Sequence, residues 1–120
     1  MFDIKGKNVL VTGGASGIGK IMGRICLEKG AARLIIWDIN ENNMASAVAD
    51  LEKSVSRDGS SSKGKVLTYK VNVADNAEIA SAYSRVREDA GQVDLLINCA
   101  GVVRGNNTFD RQTEQDIYRL

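Results

Sequence analysis

Eight residues, Thr12-Gly13-Gly14-Ala15-Ser16-Gly17-Ile18-Gly19, constrain this chain more than any other stretch, because of what flanks them. Before them runs Asn8-Val9-Leu10-Val11, a short apolar run that reads as a buried parallel strand. After them Ile18, Ile21, Met22, Ile25 and Cys26 recur at i, i+3, i+4, i+7 and i+8, the expected buried stripe of an amphipathic helix. Glycines let the backbone turn tightly and approach a ligand, while the helix N-terminus offers unpaired N–H groups and a positive dipole. A glycine turn between a strand and a helix is therefore where a phosphate binds.

The rest of the chain keeps alternating strand with helix. Arg33-Leu34-Ile35-Ile36-Trp37-Asp38 is a second apolar strand. Asn40 can cap a helix whose apolar face is Met44, Ala47, Val48 and Leu51. Lys53 to Lys65, with three serines in a row and two glycines, reads as a solvated surface loop. Val66 to Val73 is the third predicted strand. Asp75 then opens a helix, with Glu78 three residues on in a capping-box arrangement. Ile79, Ala82, Tyr83 and Val86 are its expected buried stripe, and Gly91 its stop. Val93 to Asn98 is the fourth strand. Such alternation predicts an α/β fold, a doubly wound parallel sheet of Rossmann type with strand order 3-2-1-4 and helices on both faces.

In that order the glycine loop and Asn98 to Gly101 meet at one crevice, with Asp38 and Asn72-Val73 on its far side. Asp38 ends the second strand about twenty residues after the glycine loop, as a dinucleotide site requires. Its carboxylate can accept from both adenosine-ribose hydroxyls and repels a 2′-phosphate. No Arg or Lys stands at Ser16, Gly17 or Ile39 to neutralise that phosphate, so NAD is expected over NADP. The plainer uses are Asp38 as an acid at the start of the helix near Asn40, and Asn98 to Gly101 as a strand-ending turn.

Other chemistries are excluded by what is scarce. There is no histidine, which removes Ser-His-Asp and Cys-His nucleophiles and leaves a zinc site almost no ligands. Cys26 and Cys99 read as small apolar residues at opposite ends of the domain, too far apart for a disulfide. A net charge of +1, with acids and bases interspersed, points to neither nucleic acid nor anionic membrane. Met1 to Lys7 carries no apolar leader and nothing long enough to anchor in a bilayer, so a cytoplasmic protein is the expectation.

The glycine spacing resembles that of the classical short-chain dehydrogenase/reductase family, whose Thr-Gly-x-x-x-Gly-x-Gly is matched at Thr12, Gly13, Gly17 and Gly19. The family's Asn-Asn-Ala-Gly is similar to Asn98-Cys99-Ala100-Gly101, with Cys99 replacing the second Asn. Its Asp-Val beside adenine corresponds to Asn72-Val73, where an amide oxygen stands in for the carboxylate. The resemblance spans the whole chain, which looks like the first half of a family member. It implies cofactor binding by Gly13, Ser16, Gly17, Ile18, Gly19, Asp38, Asn72, Val73, Asn98, Ala100 and Gly101. It also implies hydride transfer between NAD and an alcohol or carbonyl substrate, in a homo-oligomer (dimer or tetramer) of the complete protein.

The family's catalytic pair is Tyr-x-x-x-Lys, working with a Ser and an Asn. Tyr69 is followed four residues on by Val73 and Tyr83 by Arg87, while Tyr118 runs out of chain. The helix begun near Thr113 stops at Leu120 with its apolar face half built. Residues 1–120 are thus expected to be the N-terminal part of one NAD-binding domain, with no catalytic residue inside them. A non-catalytic dinucleotide-binding protein is the alternative. An S-adenosylmethionine methyltransferase is disfavoured by the glycine spacing and the fourth-strand motif. Leu34 to Asn40 and Ala100 to Gly105 look like the retinol and 17β-hydroxysteroid dehydrogenase branch, a hint of a lipophilic alcohol.

Overall fold

The computed structural model describes residues 3–56 and 64–100. Four strands, β1 (Asn8–Thr12), β2 (Arg33–Asp38), β3 (Lys65–Lys70) and β4 (Leu95–Asn98), form one sheet in the order β3-β2-β1-β4. Every neighbouring pair is parallel, so each crossover carries a helix: α1 (Gly17–Glu28), α2 (Glu41–Ser56) and α3 (Asn76–Asp89). This is the expected 3-2-1-4 Rossmann-type arrangement. The register sets Thr12 against both Trp37 and Asn98, which brings three strand ends to one edge.

β1 is buried along its whole length, as a central parallel strand must be. The two-residue period then divides the core. Val9, Val11, Leu34 and Ile36 face Cys26, Leu27, Met44, Ala47 and Leu51 of α1 and α2. Leu10, Ile35 and Trp37 face the other way, onto Tyr69, Val71 and the Ala82 and Val86 of α3. The free thiols belong to the first layer: Cys26 is buried, and Cys99 packs against the same cluster, its sulfur 3.9 Å from Met22 Sδ. Both thiols are free and border the same cluster, with no disulfide between them. Burial pushes the Cys26 thiol up, the condition of an inert packing residue.

The face of α1 differs from the sequence expectation. Gly19, Gly23, Cys26 and Leu27 are buried, whereas Ile18 is 72% exposed and Ile21, Met22 and Ile25 also face out. Two glycines set this orientation. A Cβ on Gly23 would lie 2.9 Å from Leu34 Cδ2, and one on Gly19 would overlap the Gly13 carbonyl oxygen. The helix comes so near the sheet that its bare edge must turn inward, which carries the isoleucines outward.

Other boundaries shift less. Asn40 Oδ1 accepts from Asn43 N at 2.9 Å and caps α2 as expected, with Met44, Ala47 and Leu51 inside. That helix continues to Ser56, into the stretch expected to be loop, and β3 ends at Lys70 rather than Val73. β4 begins two residues late, at Leu95, because Asp94 is occupied in holding the start of β1 through Asn8 N at 2.9 Å. Asp75 caps α3 by accepting from Ala77 N and Glu78 N. Glu78 does not complete the capping box: its carboxylate reaches past Asp75 to Asn72 N at 3.2 Å. Tyr83, expected in the buried stripe, is 45% exposed. The helix stops at Gly91, whose φ is +85°.

The second core layer carries a titratable group. Tyr69 is buried, its hydroxyl donates to Asp89 Oδ2 at 2.5 Å, and the Arg85 guanidinium lies 5.4 Å from its ring centre. Burial, with the Asp89 hydrogen bond and charge behind it, pushes the phenol from 10.0 up to about 12. Because the fold favours the protonated phenol, this stabilisation is whole below pH 10.0 and is lost as pH rises through about 12. Between about pH 9 and about pH 11, urea unfolding should show a larger fall in stability for the native protein than for Tyr69→Phe. Equal falls would contradict the Tyr69–Asp89 contact.

Candidate functional site

Thr12 ties the strand ends together. Its hydroxyl donates to Asn98 Oδ1 at 2.5 Å and accepts from Ala100 N at 3.2 Å, while its carbonyl accepts from Cys99 N at 3.1 Å. One residue on, Gly13 N donates to the Trp37 carbonyl at 2.7 Å. The chain turns there with Gly13 at φ +68°, and a Cβ would lie 2.9 Å from Ala100 N. Gly13 and Gly19 thus serve close packing of protein on protein. Gly17, at φ +58°, is different: nothing lies within 4 Å of where its Cβ would be. It is the glycine that leaves open room beside the loop.

The helix entered from this loop is electrostatically unlike the other two. Ser16 stands at its N-cap in an extended conformation and makes no side-chain hydrogen bond, and the first turn holds no acid. α2 has Asn40 and Glu41 at that position, and α3 has Asp75 and Glu78. The first N–H groups of α1 and their share of helix dipole are therefore left for an outside acceptor. A carboxylate stands nearby: Asp38 Oδ2 accepts from Ala15 N and Oδ1 from Asn40 N, both at 3.1 Å. The acid braces the glycine loop and the entry to α2 together. Each of its oxygens keeps a second lone pair.

A crevice of about 410 Å³ opens at the carboxyl ends of the strands. Gly13, Ser16, Ile18 and Gly19 line it from the loop, Asp38 from β2, Asn72 and Val73 from the segment after β3, and Ala100 from the segment after β4. Four segments of the sequence reading thus meet, as a ligand shared among them requires. Gly17 lines the hollow between α1 and α2 instead of the crevice, Asn98 does not line the crevice and gives its amide oxygen to Thr12, and Gly101 lies outside the described residues. Asn72 spends its amide oxygen on Ala74 N at 3.0 Å. Trp37, Ile39, Val71 and Cys99 also line the crevice and were not among the expected cofactor-binding residues. Their signal was available, because each sits next to a residue that was.

A larger hollow of about 570 Å³ lies between α1 and α2, bordered by Lys20, Arg24, Asp50 and Lys53. Lys20 and Asp50 already neutralise each other at 2.5 Å, and the hollow lies off the strand ends where ligands of open α/β sheets bind. The crevice is the better site. No group of three or more metal-ligating side chains, and no helix long and apolar enough to cross a membrane, occurs among the described residues.

Comparison with known proteins agrees with this geometry. The sequence pattern of the family described as short chain dehydrogenase matches residues 7–120. The chain is 35% identical over 104 residues to 2-dehydro-3-deoxy-D-gluconate 5-dehydrogenase of Formosa agariphila, covering 87% of this chain and 36% of that protein. It is 36% identical over 113 residues to a 3-oxoacyl-(acyl-carrier-protein) reductase of Thermotoga maritima, covering 94% of this chain and 42% of the relative. Among solved structures it resembles a short-chain type dehydrogenase/reductase from Mycobacterium ulcerans, with a TM-score of 0.73 and 27% identity over 86% of this chain and 35% of that one. The chain thus spans roughly two fifths of the length of these proteins.

The glycines should separate by experiment. Gly19→Ala sets a methyl against the Gly13 carbonyl, which is backbone and cannot swing aside, so a loss of ~2 kcal/mol or more in urea unfolding is expected. Gly17→Ala meets open space and should lose only the ~1 kcal/mol of a left-handed non-glycine residue. A Gly19→Ala protein as stable as the native one would contradict the close approach of α1 to β1.

Proposed function

The chain belongs to the short chain dehydrogenase family, oxidoreductases with the Rossmann-type fold, and from that premise we propose that it is the NAD-binding part of an enzyme moving hydride between NAD and an alcohol or carbonyl substrate. The observation that carries this reading is the α1 N-terminus, uncapped and free of acid, opening on a crevice with the Asp38 carboxylate. Anion-seeking N–H groups on one side and a hydroxyl-accepting acid on the other suit a pyrophosphate joined to a ribose.

The cofactor supplies the hydride chemistry. This chain's residues bind and orient it. The N–H groups at the start of α1 donate to the pyrophosphate, from the loop whose Ser16, Ile18 and Gly19 line the crevice. Asp38 accepts from the adenosine-ribose hydroxyls with the lone pairs that Ala15 and Asn40 leave unused. Asn72 and Val73 border the base. Ala100, held by the Thr12 hydroxyl, forms the wall at the end of β4. None of these groups moves a proton. Tyr69 is committed to Asp89, and Tyr83 has Arg87, a group that does not titrate, where the family has lysine. The proton-handling Ser and Tyr-x-x-x-Lys accordingly belong after residue 120 in this reading.

Cofactor preference tests it. NAD should be used with at least about tenfold better kcat/KM than NADP, since a charge-assisted ribose contact contributes ~1.5–3 kcal/mol. Asp38→Ser should narrow that gap. A native enzyme that prefers NADP would remove the ribose role of Asp38.

A further inference from the structure

Trp37 holds an unfinished hydrogen bond. Its Nε1 is the one buried side-chain polar atom without a partner among the described residues. The residue is 5% exposed and lies in the layer facing α3, yet it also lines the crevice between Asp38 and Val71. An indole N–H shut away from water and left unpaired costs about 1–3 kcal/mol, so such a donor is rarely kept without an acceptor arriving from somewhere. Within the same layer Tyr69 meets this demand with Asp89. Nothing comparable reaches Trp37 Nε1 among the described residues: the neighbouring Asp38 carboxylate leaves the opposite face of the strand and is turned to Ala15 and Asn40, and the Asn72 amide oxygen serves Ala74.

Strand geometry indicates which part of a ligand could supply the acceptor. Trp37 and Asp38 are consecutive in β2, so their side chains leave opposite faces of the sheet. A ribose held by Asp38 stands on the glycine-loop side. Val71 and Val73 pack in the same layer as Trp37 and line the crevice with Asn72, so a base bordered by them would lie on Trp37's side. A purine there presents ring nitrogens that accept and do not donate.

We propose that the Trp37 indole N–H reads the adenine base, donating to one of its ring nitrogens. This rests on the dinucleotide reading of the crevice and extends it to a residue that recognises the base. The donor is covered in the structure, so reaching it requires the indole to turn. Binding should then shift the fluorescence of this tryptophan, the only one in the 120 residues.

The test is calorimetric titration of the purified protein with ADP-ribose, AMP and nicotinamide mononucleotide, in native and Trp37→Phe forms. Phe keeps most of the ring and lacks the donor. About five- to twentyfold weaker binding of ADP-ribose and AMP is expected, with nicotinamide mononucleotide unchanged and the melting temperature of the unliganded variant equal or higher. In parallel, 1-deaza-, 3-deaza- and 7-deaza-AMP are titrated into the native protein, a measurement independent of whether the variant folds. One of the three should lose a similar factor. Undiminished binding of ADP-ribose by Trp37→Phe, or of all three deaza analogues by the native protein, overturns the assignment to Trp37 alone. Failure of the native protein to bind ADP-ribose overturns the dinucleotide reading, and this inference with it.

Discussion

The contact on which the rest depends is backbone against backbone, where Gly19 of α1 rests on the carbonyl of Gly13. No side chain fits between them, so the first helix lies nearer the sheet than two packed side-chain layers would allow. That closeness settles which edge of α1 is buried and where its first N–H groups emerge. The same turn brings Gly13 against the backbone of Cys99 and Ala100, which fixes the end of β4 relative to the loop. Fold and site are consequences of one steric fact, and Thr12 locks it with hydrogen bonds to both sides.

Much of this was legible in the sequence, for identifiable reasons. Strand order followed from apolar runs alternating with helices, since parallel neighbours require crossovers. The meeting of Gly13, Asp38, Val73 and Ala100 at one crevice followed from that order. The face of α1 was misread because a hydrophobic pattern counts side chains, and here the inward edge is set by the lack of them at Gly19 and Gly23. Isoleucines four residues apart look buried until something smaller outcompetes them for the sheet. The start of β4 was misplaced because Asp94 is drawn to Asn8 N, a partner 86 positions away that no local window registers. Trp37 was counted only as strand filler, because its polar edge matters only once the fold shows that no acceptor among the described residues reaches it.

The brace formed by Asp38 restricts how this site can change over generations. The carboxylate holds Ala15 of the glycine loop and Asn40 at the head of α2. If Asp38 reads the ribose as proposed, a lineage drifting towards a 2′-phosphorylated cofactor would have to give up the acid and gain a cation. On this scaffold the first step would also unfasten two backbone amides, Ala15 in the glycine loop and Asn40 at the head of α2. The route would then pass through an intermediate weaker for either cofactor, unless a new acceptor for Ala15 arose first. On the proposed reading of Asp38, selectivity would be guarded by the architecture as well as by charge.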